Sequence, residues 1–155
     1  MRVSDVVVGS AIMVQPTWSS FEETVAGLVN RLAASGRLPS DLVGAAVEHI
    51  RQREAVASTA MVDIGVSIPH ARLDGISGIM AAVAVSSDAV YEVVDGLSIS
   101  IVALVLSSPK LTGEHLNFLS VLSLLLQSER VRERLRRAAS TEEVLELIRS
   151  NEPAR

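Results

Sequence analysis

In the stretch Ile64–Arg72, IGVSIPHAR, His70 stands directly behind a proline at the end of a short apolar run, and it is one of only three histidines in 155 residues. Imidazole is neutral and nucleophilic near pH 7, so a ring presented at a strand end can attack an electrophile or accept a phosphoryl group. Pro69 fixes the chain direction ahead of the ring and helps to hold it. A loop or core histidine hydrogen-bonded to a carbonyl would look the same, and local chemistry leaves both readings open. A metal site is disfavoured, because His49, His70 and His115 lack the paired spacing that puts two ligands on one helix face. A serine nucleophile elbow is disfavoured too: in GVSIP, Gly65 to Pro69, the proline stands where a second glycine should permit the sharp turn. The absence of cysteine removes disulfides, thiol nucleophiles and thiolate-bound zinc, and suits a reducing cytoplasm.

Regular elements must position that ring. Phe21, Val25, Leu28, Val29 and Leu32 recur at helical spacing behind Ser19 and Ser20, which can cap a start, and Gly36 follows them. A second helix begins after Pro39-Ser40-Asp41, turns Leu42, Val43, Ala46, Val47 and Ile50 inward, and runs out in the polar RQRE; the two helices are expected to pair. From Ala60 the β-branched residues dominate through Ile68, where Pro69 ends the ladder, so the spacing predicts a strand over 60–68 that ends at the histidine. Another strand is predicted over 76–85, and Asp95-Gly96 marks a tight turn into a strand over 97–106. That last strand begins by alternating, with Leu97, Ile99 and Ile101 inward, and finishes as VALVL, which predicts burial on both faces near the middle of a sheet. Leu116, Leu119, Leu122 and Leu126 then share one face of a helix, followed after Ser128 by a charged segment with Val131 and Leu135 inside. The final helix opens at Ser140 with Glu143 three residues on, a capping box, and buries Val144, Leu147 and Ile148. Helices, then strands, then helices, with no repeat or linker between them, argue for a sheet covered by helices, an α/β or α+β layered domain.

Composition narrows the function classes. With 48% hydrophobic residues and only 3% aromatic, the core must be aliphatic, and the chain is long enough to bury it as one domain. The longest apolar run, Ile101 to Leu106, is far short of a membrane span, and the N-terminus lacks the features of a secretory signal. A net charge of −4, with bases interleaved among acids, is a poor footprint for nucleic acid. A cytoplasmic protein without direct membrane insertion is expected.

The run REAVAST…IGVSIPHAR over 53–72, then SSP after a strand pair, then GEHLNFLSVLSLLLQ over 113–127, resembles the fructose/mannitol type of IIA domain of the bacterial phosphotransferase system, which includes the nitrogen-regulatory IIA proteins. The likeness covers nearly the whole chain. Its most specific signature is apolar-Pro-His at a strand end, met by Ile68-Pro69-His70; a second, a His-Leu pair opening a leucine-rich helix, is met by His115-Leu116. The resemblance implies a single three-layer α/β domain over residues 1–155, a mixed β-sheet covered by helices on both faces. It also implies a phosphocarrier rather than a metabolic enzyme. His70 would take a phosphoryl group from the phosphohistidine of HPr, or of a nitrogen-branch HPr-like protein, and relay it to a IIB domain or hold it as a signal for a regulatory target protein. By the same resemblance His115 would lie beside the phosphorylated ring. Arg53, in an Arg-Glu pair ahead of Ser58 and Thr59, would help to stabilise the phosphate, with Ser58, Thr59 and Arg72 as secondary candidates.

Those residue types suit that chemistry. A phosphoryl group brings roughly −1.5 to −2 charges, so the acceptor must be neutral imidazole with donors ready for the equatorial oxygens. Arg53 offers a planar fork and His115 a ring N–H, and a place in the first turn of a helix would favour both a neutral His115 and a nearby phosphate. No metal or other cofactor is required. Apart from the resemblance, Arg53 reads as a solvated cation closing a helix, His49 as structural, and ERVRERLRR over 129–137 as a solvated face. The nitrogen-regulatory type is favoured, because no fused carrier, IIB or membrane segment is present; a sugar-specific IIA component, or a IIA-fold binding module with weak or no phosphotransfer, is the alternative. One segment departs from the family pattern: in STAMVDIGVSIPH, 58–70, bulkier residues replace the first glycine of a Gly-x-Gly turn, and the segment is one residue longer.

Overall fold

The β-branched runs pair into a six-stranded mixed sheet with helices on both faces, in a computed structural model that describes residues 2–94 and 96–153. Helix α1 (Val3–Val6) leads into β1 (Val7–Val14), then α2 (Phe21–Ala34), a 3-10 turn (Ser40–Leu42) and α3 (Val43–Val56). Strands β2 (Ala60–Met61), β3 (Val66–Ser67), β4 (His70–Arg72) and β5 (Ile79–Val85) follow, then the hairpin of β6 (Tyr91–Val94) and β7 (Leu97–Ile99), and β8 (Ile101–Ser107). Helices α4 (Thr112–Leu126), α5 (Glu129–Arg136) and α6 (Thr141–Asn151) complete the order. Ser20 and Ser140 accept from Glu23 N and Glu143 N and so cap α2 and α6 as expected.

The sheet runs β1-β5-β8-β3-β2, with β4 also on β8. β1 and β5 are parallel, β5 and β8 antiparallel, and β3 and β4 lie parallel to β8. β8 is therefore central, and all of its residues are buried. Its side chains alternate between two cores. Ile101, Ala103 and Val105 pack with Phe118 and Leu122 of α4 and Val144 of α6, whereas Val102, Leu104 and Leu106 pack with Leu28 and Leu32 of α2 and Ile50 of α3. This is the three-layer α/β arrangement that the resemblance implies.

Several boundaries differ from the sequence expectation. The segment 60–68 is not one strand but a hairpin, with β2 and β3 antiparallel around a turn at 62–65. Gly65 permits that turn: its φ is +69°, and its carbonyl accepts from both Ser100 N (2.8 Å) and Ile101 N (3.1 Å). The same carbonyl divides the strand expected over 97–106. Leu97–Ile99 pairs with β6 in a separate two-stranded sheet, and only Ile101 onward joins the main one. Leu97, expected inward, is consequently exposed. Gly96 lies at that hairpin's turn, while Asp95 lies outside the described residues. β5 begins at Ile79 rather than at 76. β1 has no counterpart among the expected strands, because Gly9 and Ser10 interrupt its apolar run. On α4 the buried row is His115, Phe118, Leu122, Leu125 and Leu126, and Leu116 is 60% exposed. Leucine occurs on every side of this helix, so leucine spacing alone does not choose its inner face.

Trp18, the only tryptophan, lies over Gly27 of α2, where an added Cβ would sit 2.1 Å from the indole. Gly27→Leu is expected to displace the ring, change its fluorescence and lower stability by about 1–3 kcal/mol in chemical unfolding. Unaltered emission and midpoint would refute that packing. Among the described residues, no helix is long and apolar enough to cross a membrane.

Candidate functional site

Pro69 interrupts the strand without shifting its register: Val66 and Ser67 lie opposite Ile101 and Val102 before it, and His70 lies opposite Val105 after it. Proline brings no N–H, but its carbonyl accepts from Val105 N at 2.9 Å, so this edge position loses no bond to β8. β4 continues the line of β3 and carries no strand on its outer side among the described residues. Side chains alternate along it. His70 and Arg72 point to the α4 side, where they meet His115 and Thr112, while Ala71 joins the core beneath α2 and α3.

The His70 ring is held by its own backbone, since Nδ1–H donates to the Ile68 carbonyl at 2.8 Å. A carbonyl only accepts, so the proton sits on Nδ1 and Nε2 keeps an in-plane lone pair. The His115 ring lies beside it, with centroids 5.5 Å apart and planes at 54°. His115 comes from the first turn of α4 and is 5% exposed, and its Nδ1 is hydrogen-bonded to the buried Ser107 hydroxyl at the end of β8. Donation by that hydroxyl to Nδ1 would put the ring proton on Nε2. Burial, reinforced by His70 and then Arg72, lowers the His115 pKa to about 4, so this ring is neutral at physiological pH.

A cleft of about 660 Å³ opens over the two rings. One wall is the α3 row His49, Gln52, Arg53 and Val56; the other is the α4 row Thr112, His115, Leu116 and Leu119; His70, Ala71 and Arg72 form the floor. Each row follows the i, i+3, i+4, i+7 pattern of a single helix face. The structure thus brings His70, His115, Arg53 and Arg72 to one place. Arg53 also closes its helix, with Nη1 donating to the Ala57 carbonyl at 3.0 Å, and Arg72 Nη1 donates to Thr112 Oγ1 at 3.1 Å.

Ser58 and Thr59 are not brought there. Glu54 accepts from both hydroxyls (3.0 and 2.8 Å) and from Thr59 N (2.8 Å), which ties the loop after α3 back to that helix. His49, read from sequence as structural, lines the cleft, and its Nδ1–H donates to the Arg72 carbonyl at 3.3 Å. Sequence reasoning also misses Gln52, Thr112 and Ser107. The helical spacing of His49 and Gln52 to Arg53 is the signal that could have found those two residues. Among the described residues, no group of three His, Cys, Asp or Glu side chains is placed to hold a metal ion.

Residues 8–151 match the family described as phosphoenolpyruvate-dependent sugar phosphotransferase system, EIIA 2. This chain belongs to that family. The relatives it matches include both nitrogen regulatory and sugar-specific proteins. The EIIA 2 chain is 30% identical over 127 residues to a nitrogen regulatory protein of Pseudomonas aeruginosa, covering 81% of itself and 79% of that protein. It is 27% identical over 151 residues, 96% of its length, to a 2-O-alpha-mannosyl-D-glycerate-specific EIIABC component of Escherichia coli, but spans only 22% of that protein. Among solved structures, nitrogen regulatory protein IIA-Ntr from Neisseria meningitidis matches with a TM-score of 0.79 at 25% identity, covering 94% of this chain and 98% of that one. The IIA fold also matches that in a complex of enzyme IIAMTL and phosphorylated enzyme IIBMTL from Escherichia coli, with a TM-score of 0.73 at 20% identity, covering 91% and 95%.

Proposed function

We propose that residues 1–155 form a single IIA phosphocarrier domain in which His70 Nε2 accepts a phosphoryl group from the phosphohistidine of HPr or a nitrogen-branch HPr-like protein. The observation that carries this reading is the Nδ1–H bond to the Ile68 carbonyl, which pins the ring and leaves Nε2 as the free nucleophile in a cleft shared with a neutral His115. As Nε2 forms its bond to phosphorus, the donor's N–P bond breaks and the electron pair returns to the donor ring. No proton has to move, because Nδ1–H stays on Ile68. The roughly −1.5 to −2 charges of the phosphoryl group would meet Arg53, Arg72, the His115 ring and the positive end of α4.

Relay to a IIB domain is the same step in reverse, and the Escherichia coli mannitol complex supports a pairing of that kind. Val56, 84% exposed, and Leu116 give the cleft an apolar rim on which a carrier, a IIB domain or a regulatory target can seat and exclude water. The nitrogen-regulatory branch is favoured, supported by the Pseudomonas and Neisseria relatives; the mannosylglycerate-specific relative supports a sugar-specific IIA component as the second reading. Either reading places the chain in the bacterial cytoplasm with its donor.

Incubation with enzyme I, phosphoenolpyruvate and either donor, followed by intact mass, tests both levels. One added phosphoryl group is expected, arriving faster from the nitrogen-branch donor. No addition from either donor overturns the phosphocarrier reading, and faster charging by HPr with onward transfer to a sugar IIB overturns the branch. Arg53→Met is expected to slow charging about tenfold or more by removing a charge-assisted donor, with little change in thermal unfolding. An unchanged rate removes Arg53 from the phosphate site.

A further inference from the structure

The row of β8 that faces α4 changes chemistry at its last residue. Ile101, Ala103 and Val105 fill it with aliphatic side chains, and Ser107, next in the alternation, puts a hydroxyl there at 0% exposure. The backbone of Ser107 is held from both sides. It lies opposite Arg72 of β4 and Ile79 of β5, and its carbonyl accepts from Leu73 N at 2.9 Å. The hydroxyl is thus fixed where β8 meets the first turn of α4, next to Arg72 on the floor of the cleft.

Ser107 Oγ lies 2.5 Å from His115 Nδ1 and has no other hydrogen-bond partner among the described residues. One proton lies between the two atoms, and burial decides whose it is. If Nδ1–H donated to Oγ, the serine O–H would be sealed in the core with no acceptor, which is costly for a buried donor. If Oγ–H donates to Nδ1, the serine proton and the ring lone pair are satisfied by the same bond. The ring proton of neutral His115 is then on Nε2. A flip of the ring about χ2 would put Cδ2 against the hydroxyl and break this bond, so one contact sets both tautomer and orientation.

The other ring nitrogen is free to act. Nε2 of His115 forms no hydrogen bond among the described residues and is not sealed from solvent, and the ring lines the cleft beside His70. A protonated Nε2 offers a donor to an oxygen in that cleft, whereas the opposite tautomer would turn a lone pair towards it. The difference counts for most where water is scarce, because a mismatched polar contact is then not screened.

We propose that Ser107 is a positioning residue for phosphoryl transfer: its hydroxyl donates to His115 Nδ1, fixes the Nε2–H tautomer, and so makes this ring a hydrogen-bond donor to the phosphoryl oxygens on His70. This role rests on the phosphocarrier reading, whereas the tautomer is a property of the uncharged chain. No proton changes hands, since Oγ–H and Nε2–H both stay on their atoms while the phosphoryl group arrives and leaves. Ser107 is sealed beneath the ring, so its influence passes through His115.

Nitrogen-15 NMR of the uncharged wild-type chain, read through the ring C–H protons at neutral pH, tests the tautomer. His115 is expected to show a protonated Nε2 and a bare, hydrogen-bonded Nδ1; a protonated Nδ1 overturns the proposal. Charging by the phosphohistidine donor, followed by intact mass, tests the role. Ser107→Ala is expected to charge about tenfold or more slowly, and to add no further loss in a His115→Asn background, because the hydroxyl acts through that ring. If Ser107→Ala fails to fold, Ser107→Cys, close in size and a far weaker donor, takes its place. An unchanged rate, or an equal loss in the His115→Asn background, overturns the positioning role and leaves His70 as acceptor. A wild-type chain that takes up no phosphoryl group overturns the phosphocarrier reading and the role in transfer with it, while the tautomer is still decided by the nitrogen shifts.

Discussion

His70→Ala is expected to take up no phosphoryl group under conditions that charge the wild-type chain once. The other two histidines are poor substitutes. The His49 ring is tied through Nδ1 to the Arg72 carbonyl on the wall of the cleft, and His115 is buried with Nδ1 engaged by Ser107. The His49 bond is the same kind as that of His70 to Ile68 but longer, 3.3 Å against 2.8 Å, and only the His70 ring lies against the neutral His115 ring. The variant should also stay folded to within about 1 kcal/mol, because the ring is only half-buried and its bond is to a neighbouring carbonyl. Intact mass together with a thermal melt reads both quantities. Label persisting in the folded variant would move the acceptor to another residue.

The second large effect belongs to His115, which should influence both rate and stability. Removing one preorganised donor facing developing charge costs on the order of 10²–10³ in rate, so His115→Asn is expected to charge that much more slowly. The stability effect follows from its pKa, lowered by burial to about 4 from the ordinary 6.5. Between those values the unfolded chain holds a proton that the folded chain does not. Stability is therefore highest above pH 6.5 and falls as pH drops towards 4, by about 3 kcal/mol in total from this group. Urea midpoints measured from pH 7.5 down to 4 should show the loss in wild type and a shallower one in His115→Asn. Parallel profiles would mean that His115 titrates normally. Charging His70 should raise the His115 pKa, because a phosphate joins it in the cleft, and ring proton shifts in NMR report that directly.

What was legible in the sequence was local. Helical spacing located α2, α3 and α6, with serine caps at α2 and α6, and the unbroken apolar run VALVL placed β8 at the centre, because each of these patterns records burial of a face within a few residues. Ile68-Pro69-His70 and His115-Leu116 marked both rings of the cleft, though only their likeness to a family linked the two. The structure alone decided the long-range pairings. The Gly65 carbonyl bonds to Ser100 and Ile101, far along the chain, and so splits two expected strands that local β propensity could not divide. Glu54 draws Ser58 and Thr59 away from the cleft, while His49, carried by the same helix face as Arg53, enters it. Arg132 reads as one more charge on a solvated helix until α4 ends against it and buries it. Periodicity states which side of an element is covered; what covers it, and which hydrogen-bonding groups that cover leaves unpaired, is set by residues distant in sequence.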